Sequence, residues 1–333
     1  MLTDSDSFLV ENHLDVLVIG SPCVDLVFGG LPHWPVLGQE VYVDSFAISV
    51  GGVFNTAATL SRLGLRVALL CELGNDFFSR YILEEIKKAG ICCNLVIMRN
   101  QPWFEVSVCL AYESERGFVS HISKQSKVAF SADGDLTVNQ YSKDVLMDES
   151  WIHEAQMLLA GYDFKAIFMH ARPSGLPLLD AVSKPGTTIF FDTGWNPRTL
   201  SHTLMPAIIK RGHFIMPNQL EATFMTDTQS GEEAVRKLAE WIPTAIVKMG
   251  ARGAVACQQG QLIYCPAYPV KKVMDTTGAG DAFNAGFIYG MLKGYPIANA
   301  LRCGTICGGL STTALTGTAE VPTAEELEQL LRI

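Results

Sequence analysis

The sequence predicts an α/β protein built on a doubly wound, mostly parallel sheet, and three observations lead there. Short apolar runs ending in Gly or Asp, such as "DVLVIG" (15–20), "RVALLCELG" (66–74) and "TTIFFD" (187–192), read as strands covered on both faces. Helical patterns alternate with these runs, as they do in βαβ units. Beyond Asp281 the strand pattern stops and the chain reads as helices.

Taken in order, "NTAATLSRLG" (55–64) is helical and stops at a glycine suited to the position just past a helix end. "NDFFSRYILEEIKKAG" (75–90) is an amphipathic helix with an Asn/Asp cap and a terminal Gly. "HFIMPN" (213–218) and "TAIVKMG" (244–250) read as strands, and "SGEEAVRKLAEW" (230–241) as the helix between them. "IANALRCGTICGGLSTTAL" (297–315) is a helix of small residues, and "TAEELEQLL" (323–331) opens with Thr323 and Glu326 at capping-box spacing.

Two stretches depart from this alternation of helix and strand. "WFEVSVCLAY" (103–112) places Phe104, Val106, Val108, Leu110 and Tyr112 on one face, and "ESERG" (113–117) reads as a turn before "FVSHI" (118–122). "EVYVDSFAISV" (40–50) also alternates, with a slip near Ser45 that is expected to be a bulge. These are half-buried antiparallel strands whose apolar face needs a partner. A small accessory sheet at about 40–50 and 103–122, laid over the main domain or against a second subunit, supplies one. With no repeats or long linkers, residues 1–333 are expected to form a single domain with that sheet inserted.

Of the 333 residues, 48% are hydrophobic and 18% charged, which describes a globular chain with a substantial core. A formal charge of −9 argues against a broad basic face for nucleic acid or anionic lipid. Nine cysteines without a Cys-x-x-Cys pattern, after a start ("MLTDSDSFLVENH") that lacks signal-peptide order, read as buried thiols in a reducing cytoplasm. No apolar run approaches the roughly 20 residues of a membrane span, and no His-x-x-x-His pair supports zinc.

The chemistry concentrates in "DTTGAGDAFNAG" (275–286). Its bare turn opens a helix whose first N–H groups lack intrahelical partners. Small residues let a ligand approach those groups, and the helix dipole favours an anion there. The lysine of a P-loop is missing, and "VIGSPCVDLV" lacks a dinucleotide fingerprint. Asp281 beside such a seat fits phosphoryl transfer. The attacking hydroxyl becomes acidic only late in a loose transition state, so a carboxylate that orients it and accepts its proton is sufficient. A capping Asp after a glycine turn is the other reading of the same twelve residues.

"DTTGAGDAFNAGFI" (275–288) resembles, position by position, the C-terminal motif of the ribokinase (PfkB) family of carbohydrate kinases, and further similarities follow in the family's order. The resemblance implies a three-layer α/β/α ribokinase-like fold with a small β-lid, often shared across a homodimer. It implies ATP with Mg²⁺ as donor, Asp281 as catalytic base, and the Gly278, Ala279 and Gly280 backbone as anion hole. Asp25 in "GSPCVD", and Gly51, Gly52 and Asn55 in "GGVFNTAATLSRLG" (51–64), fall where relatives hold the acceptor's hydroxyls. "GND" (74–76) resembles the family's Gly-x-Asp, and Arg116 a lid turn that closes over the substrate. Asn218 and Glu221 in "NQLE" resemble the Asn-x-x-Glu motif of the magnesium and phosphate network; Lys248, Gly250 and Gly253 in "VKMGARG" resemble the loop beside the nucleotide. Asp275 falls where many relatives hold a monovalent cation, usually K⁺, together with carbonyls near "LTGTAE".

The chain departs from the family in two places. Only Val53 and Phe54 separate Gly52 from Asn55, with a bulky ring where small residues are usual. "FDTGWNPR" (191–198) resembles the acidic strand end lining the phosphate cleft, but spaces its arginine, Arg198, unlike the Asp-x-Asn-x-Arg of sugar-acid kinases. A nucleoside kinase, with Phe54, Trp103 or Phe104 stacking on a base, and a non-catalytic sugar or nucleotide sensor are the alternatives.

Overall fold

The structure is a computed structural model and describes residues 13–112, 115–121 and 149–332. The strands are β1 (His13–Ile19), β2 (Pro22–Gly29), β3 (Ser45–Gly52), β4 (Val67–Leu73), β5 (Val96–Met98), β6 (Val106–Tyr112), β7 (Glu115–His121), β8 (Asp163–His170), β9 (Thr188–Asp192), β10 (Phe214–Ile215), β11 (Thr244–Lys248), β12 (Ala254–Gln258) and β13 (Gln261–Cys265). Nine of them form one sheet in the order β13-β12-β11-β10-β9-β8-β1-β4-β5. It is parallel throughout except at the β11-β12-β13 edge.

The central strands are apolar on both sides because both faces are covered. Leu17, Leu70, Ile167, Met169, Phe191 and Val247 point into one core, under helices Glu149–Leu159, Leu176–Val182, Met205–Ile209 and Gly231–Leu238. Their neighbours Val18, Leu69, Phe168, Phe190 and Ile246 point into the other, under helices Val53–Arg62, Phe77–Lys88, Ala279–Leu292 and Ile297–Ser311. Three layers result, α/β/α. From β1 the chain winds outward through β4 and β5, then returns to build β8 to β11 on the other side of β1. The strand order therefore reverses between β1 and β8, and a cleft opens outside the carboxyl ends of strands at such a point.

The remaining strands make a second sheet, β3-β2-β6-β7, antiparallel except for β2-β6. The start of β3 differs from the expectation. Pairing begins at Ser45, so the break in alternation there marks the start of β3 rather than a bulge. The more buried face of β6 is not the apolar one. Glu105, Ser107 and Cys109 are buried, while Val106, Val108 and Leu110 are only partly so and Phe104 is 46% exposed. The sheet arches over a polar hollow, and its small and polar residues face inward. Its apolar face divides: Val24 and Val50 are buried in the main core with Leu26 and Val106 packed against it, while Phe46 (54% exposed), Ile48 (48%) and Val119 (67%) further along the same face are exposed. The turn expected over 113–117 is also corrected: Glu115, Arg116 and Gly117 pair with Tyr112, Ala111 and Leu110 as the start of β7, so Arg116 stands on a strand, and only 113–114, which lie outside the described residues, remain for the turn.

Candidate active site

Four side chains continue the inner apolar rows past the end of the sheet. Even-numbered residues of β8, β9 and β11 face helix Ala279–Leu292, so His170, Asp192 and Lys248 follow Phe168, Phe190 and Ile246 on that face. Arg172, extended at φ −147° and ψ 140°, takes the next even place beyond His170. Asp281 meets this row from above. One ligand atom from each of His170, Asp192 and Asp281 lies within 4.8 Å of the others.

The glycine turn takes the form the motif needs. Gly278 sits at φ 75°, a left-handed conformation that side chains resist, and helix Ala279–Leu292 starts immediately after it with Asp281 in its first turn. Asn55 Nδ2 donates to Asp281 Oδ2 at 3.3 Å, and the Thr56 hydroxyl donates to Oδ1 at 3.3 Å. Both come from the first turn of helix Val53–Arg62, so the shortened Gly52–Asn55 spacing still brings Asn55 to the site. Burial, reinforced by the charge of Asp192 and opposed by Lys248, pushes Asp281 up to about 7. That is the range in which a carboxylate acts as a general base near neutral pH.

Lys248 Nζ donates to Asp192 Oδ2 at 2.8 Å and to Asn284 Oδ1 at 3.1 Å, while Asn284 Nδ2 also donates to Asp192 Oδ2. The ammonium is thereby held over the glycine turn, 3.3 Å from where a side chain on Gly280 would begin. Asn218 caps helix Gln219–Thr226 reciprocally with Glu221, whose Oε2 accepts the Asn218 N–H (3.1 Å) and the Thr193 hydroxyl (2.7 Å). Burial and then Asp192 raise the Glu221 carboxyl. Asn218, Lys248 and Gly250 line an open cleft of about 510 Å³ with Gln219, Leu220, Thr223, Met249 and Arg252. Glu221 is buried below it. Gly253 does not line it; the carbonyl of Cys265 fills the space a side chain there would need, so this glycine serves the β11–β12 turn.

On the other side, Asp25 projects from β2 against Gly51, where any Cβ would fall 1.9 Å from Oδ2. Burial pushes Asp25 up to about 6. Gly52 ends β3 at φ 63° and hands the chain to the Asn55 helix. Asp275 is buried, accepts the Thr277 N–H at 2.8 Å, and sits within electrostatic reach of Asp25. Asp76, the last residue of "GND", caps its helix through the Ser79 N–H and also accepts the N–H groups of Trp103 and Phe104, which fixes the approach to β6.

Several sequence candidates are not brought together here. The Arg116 side chain lies outside the described residues, although its backbone pairs with Ala111. Arg198 is exposed, and Phe54 and Trp103 are buried as packing residues. Conversely, motif reading passed over Thr56, His170, Arg172, Thr193 and Asn284. Asp192 carried a signal as the acidic end of an apolar strand; the others become visible only when the strand order is known.

A glycine-opened helix with a buried carboxylate in its first turn, Lys248 held beside it and an open cleft lined by Lys248 is an arrangement that suits phosphoryl transfer. The chain superposes on *Arabidopsis thaliana* ribokinase complexed with ribose and ATP, with a TM-score of 0.74, 19% identity, and coverage of 96% of this chain and 99% of that one. Among characterised sequences it is similar to 2-dehydro-3-deoxygluconokinase of *Bacillus subtilis* (strain 168), 27% identical over 87% of this chain and 88% of the relative. It is likewise similar to 5-dehydro-2-deoxygluconokinase of the same organism, 24% identical over 98% of each. The pattern described as pfkB family carbohydrate kinase matches residues 14–324, and the chain belongs to that family. It is a phosphotransferase with an alcohol group as acceptor. Among the described residues, no helix is long and apolar enough to cross a membrane.

Proposed function

We propose that this enzyme transfers the γ-phosphate of ATP to a hydroxyl of a small sugar or sugar acid, with Asp281 as the base. The observation that carries this reading is the clasp of Asp281 by Asn55 and Thr56 at the mouth of a glycine-opened helix. The acceptor lies between Asp25, Gly51, Gly52 and Asn55 under the small sheet. Asp281 orients its hydroxyl; as that oxygen bonds to phosphorus and the bond to the leaving oxygen breaks, the proton passes to Asp281. Amides of Ala279 and Gly280, with the Lys248 ammonium, stabilise the charge that develops on the phosphoryl oxygens.

Asn218, Lys248 and Gly250 hold the donor side. Burial first, and then the charge of Asp192 against that of Lys248, raises both Glu221 and Asp281, and this cluster of carboxylates suits a hard divalent cation with oxygen ligands. Glu221 is the residue to hold Mg²⁺, which when bound neutralises charge on the donor phosphates. Asp275 suits K⁺ behind the anion hole, so replacing K⁺ with a bulky organic cation is expected to lower kcat while leaving folding intact by circular dichroism. The whole chain acts as one lidded domain, in the cytoplasm, as a homodimer through the outer face of the small sheet.

Asp281→Asn is expected to lose at least ~10²-fold in kcat in an ADP-release assay while binding ATP with near-normal affinity by calorimetry. Undiminished turnover would remove the mechanism. Burial of Phe54 and Trp103 favours a sugar-type acceptor over a nucleoside, because two of the three candidate stacking rings are spent on packing.

A further inference from the structure

Asp281 is held on both carboxylate oxygens from a single helical turn, and the two contacts differ in what else they touch. Asn55 Nδ2 donates to Oδ2 and the Thr56 hydroxyl to Oδ1, each at 3.3 Å. The Asn55 amide also lies against the glycine turn, where a Cβ on Gly278 would fall 3.1 Å from Nδ2. Oδ2 therefore stands on the side of the turn, and Oδ1 is drawn back towards helix Val53–Arg62.

Thr56 is fully buried, and its hydroxyl also reaches the Asp281 carbonyl at 3.4 Å. Both acceptors belong to Asp281, so the hydroxyl is spent on that one residue. Val53, Phe54, Ala57 and Leu60 of the same helix are buried and apolar, and a valine of nearly the same shape would pack at position 56 without a donor. A buried hydroxyl needs a polar partner, and here the partner is the carboxylate itself. His170 and Asp192 meet that carboxylate from β8 and β9, Lys248 acts on it from β11, and Cys23 is within electrostatic reach from β2. Burial and then Asp192 raise Asp281; Lys248, Asn55 and Thr56 oppose them. A hydrogen bond donated to the ionised form favours that form.

We propose that Thr56 is a positioning residue for the base: its hydroxyl pins Oδ1, so that Oδ2 alone faces the acceptor and takes its proton. As the acceptor oxygen bonds to phosphorus and the bond to the leaving ADP oxygen breaks, the acceptor's proton passes to Oδ2, while Thr56 keeps its own. A carboxylate without this tether could turn and present either oxygen, and the alignment that proton transfer needs would be lost in part. The inference rests on the assignment of Asp281 as base and deepens it.

The test replaces the hydroxyl by a methyl group in Thr56→Val and keeps it in Thr56→Ser; Thr56→Ala repeats the deletion with less bulk. ADP release is followed from pH 5 to 9 with the best acceptor from a panel of pentoses, hexoses and sugar acids. Thr56→Val is expected to lose roughly 10- to 100-fold in kcat, the worth of a hydrogen bond to a charged group, with both KM values nearly unchanged. The loss is expected to persist on the alkaline plateau, where Asp281 is ionised in every variant, and the acid limb to move up by about one pH unit. Thr56→Ser is expected to restore most of both. Carbon-13 NMR of aspartate labelled at the side-chain carboxyl follows the same titration without turnover, with Asp281→Asn assigning the signal. No ADP release from the wild-type chain with any acceptor would remove the kinase reading and this proposal with it. A plateau kcat that Thr56→Val leaves at the wild-type value, or an Asp281 titration unmoved by it, overturns the proposal alone.

Discussion

Asp281 and Asp25 both have carboxyls raised by burial, to about 7 and about 6, and this couples activity and stability to pH in opposite senses. In the proposed mechanism Asp281 must be ionised to accept a proton and Asp25 to accept the acceptor's hydroxyls. A plot of kcat/KM against pH is therefore expected to rise through 6 to 7 and level off above, more steeply than one proton requires at its acid end. Stability moves the other way. A carboxyl whose folded pKa lies above its unfolded value of about 3.9 contributes stability that is complete below about 4 and lost as pH rises through the folded value. Asp281→Asn escapes that loss. Its melting temperature is expected to exceed the wild-type value by a few degrees at pH 8, about the size of shift that one or two kcal/mol produces, and to converge with it near pH 4. Equal melting temperatures at pH 8 would place Asp281 in a less buried setting. At this scale the glycine turn and the place of Asp281 were legible in the sequence, because a helix that begins with glycine and carries an acid in its first turn is a local pattern. Lys248 was legible as a residue but not in its contacts; Asp192 and Asn284 reach it only through the fold.

Among the elements, the segment that enters β6 shows how a cap does two jobs. Asp76 accepts the Ser79 N–H as an ordinary helix cap and then the Trp103 and Phe104 N–H groups; against the upward pull of burial, these bonds hold its carboxyl low. Asp76→Ala is expected to lose about 1–2 kcal/mol of stability from the cap, measured by urea unfolding. Its acceptor KM should also rise several-fold with little change in the KM for ATP, because the loosened segment carries the inner face of the small sheet. Equal effects on both KM values would count against this. The helices were readable from caps and periodicity: the Asp76, Ser230 and Thr323 side chains all accept from the third residue of their helices. The small sheet was readable only in part. β2 escaped because "PCVDLVFG" mixes polar and apolar residues without alternation, and the turn before β7 was drawn too long because Glu115, Arg116 and Gly117 carry no strand signal. Alternation identifies a strand and its apolar face; whether that face turns toward the chain or away from it depends on what lies underneath.

For the molecule as a whole, the far end of the apolar face of β3, β2, β6 and β7, with Phe46, Ile48 and Val119, is exposed apolar surface among the described residues. Leu26 stands opposite Ile48 and Val108, and Phe28 opposite Phe46 and Leu110, so these residues form one continuous surface. Exposed apolar surface of this kind marks an association site. Ile48→Asp is expected to convert a dimer into a monomer in light scattering and to raise the acceptor KM, because each small sheet loses its support. A monomeric wild-type chain would refute the homodimer. The α/β class was evident from the sequence, since parallel strands declare themselves as apolar runs between helices. The strand order was not, and with it went the meeting of His170 with Asp192 and Asp281. The clasp on Asp281 has one more consequence. Asn55 and Asp281 are 226 positions apart in the chain, so the two halves of the reaction centre come from opposite ends of the polypeptide. Contacts of such long separation form late, after the loop closure they require. On the proposed assignment, a nascent chain that has buried its first strands and helices holds acceptor groups with no base, and stays catalytically silent until its final helices emerge and dock.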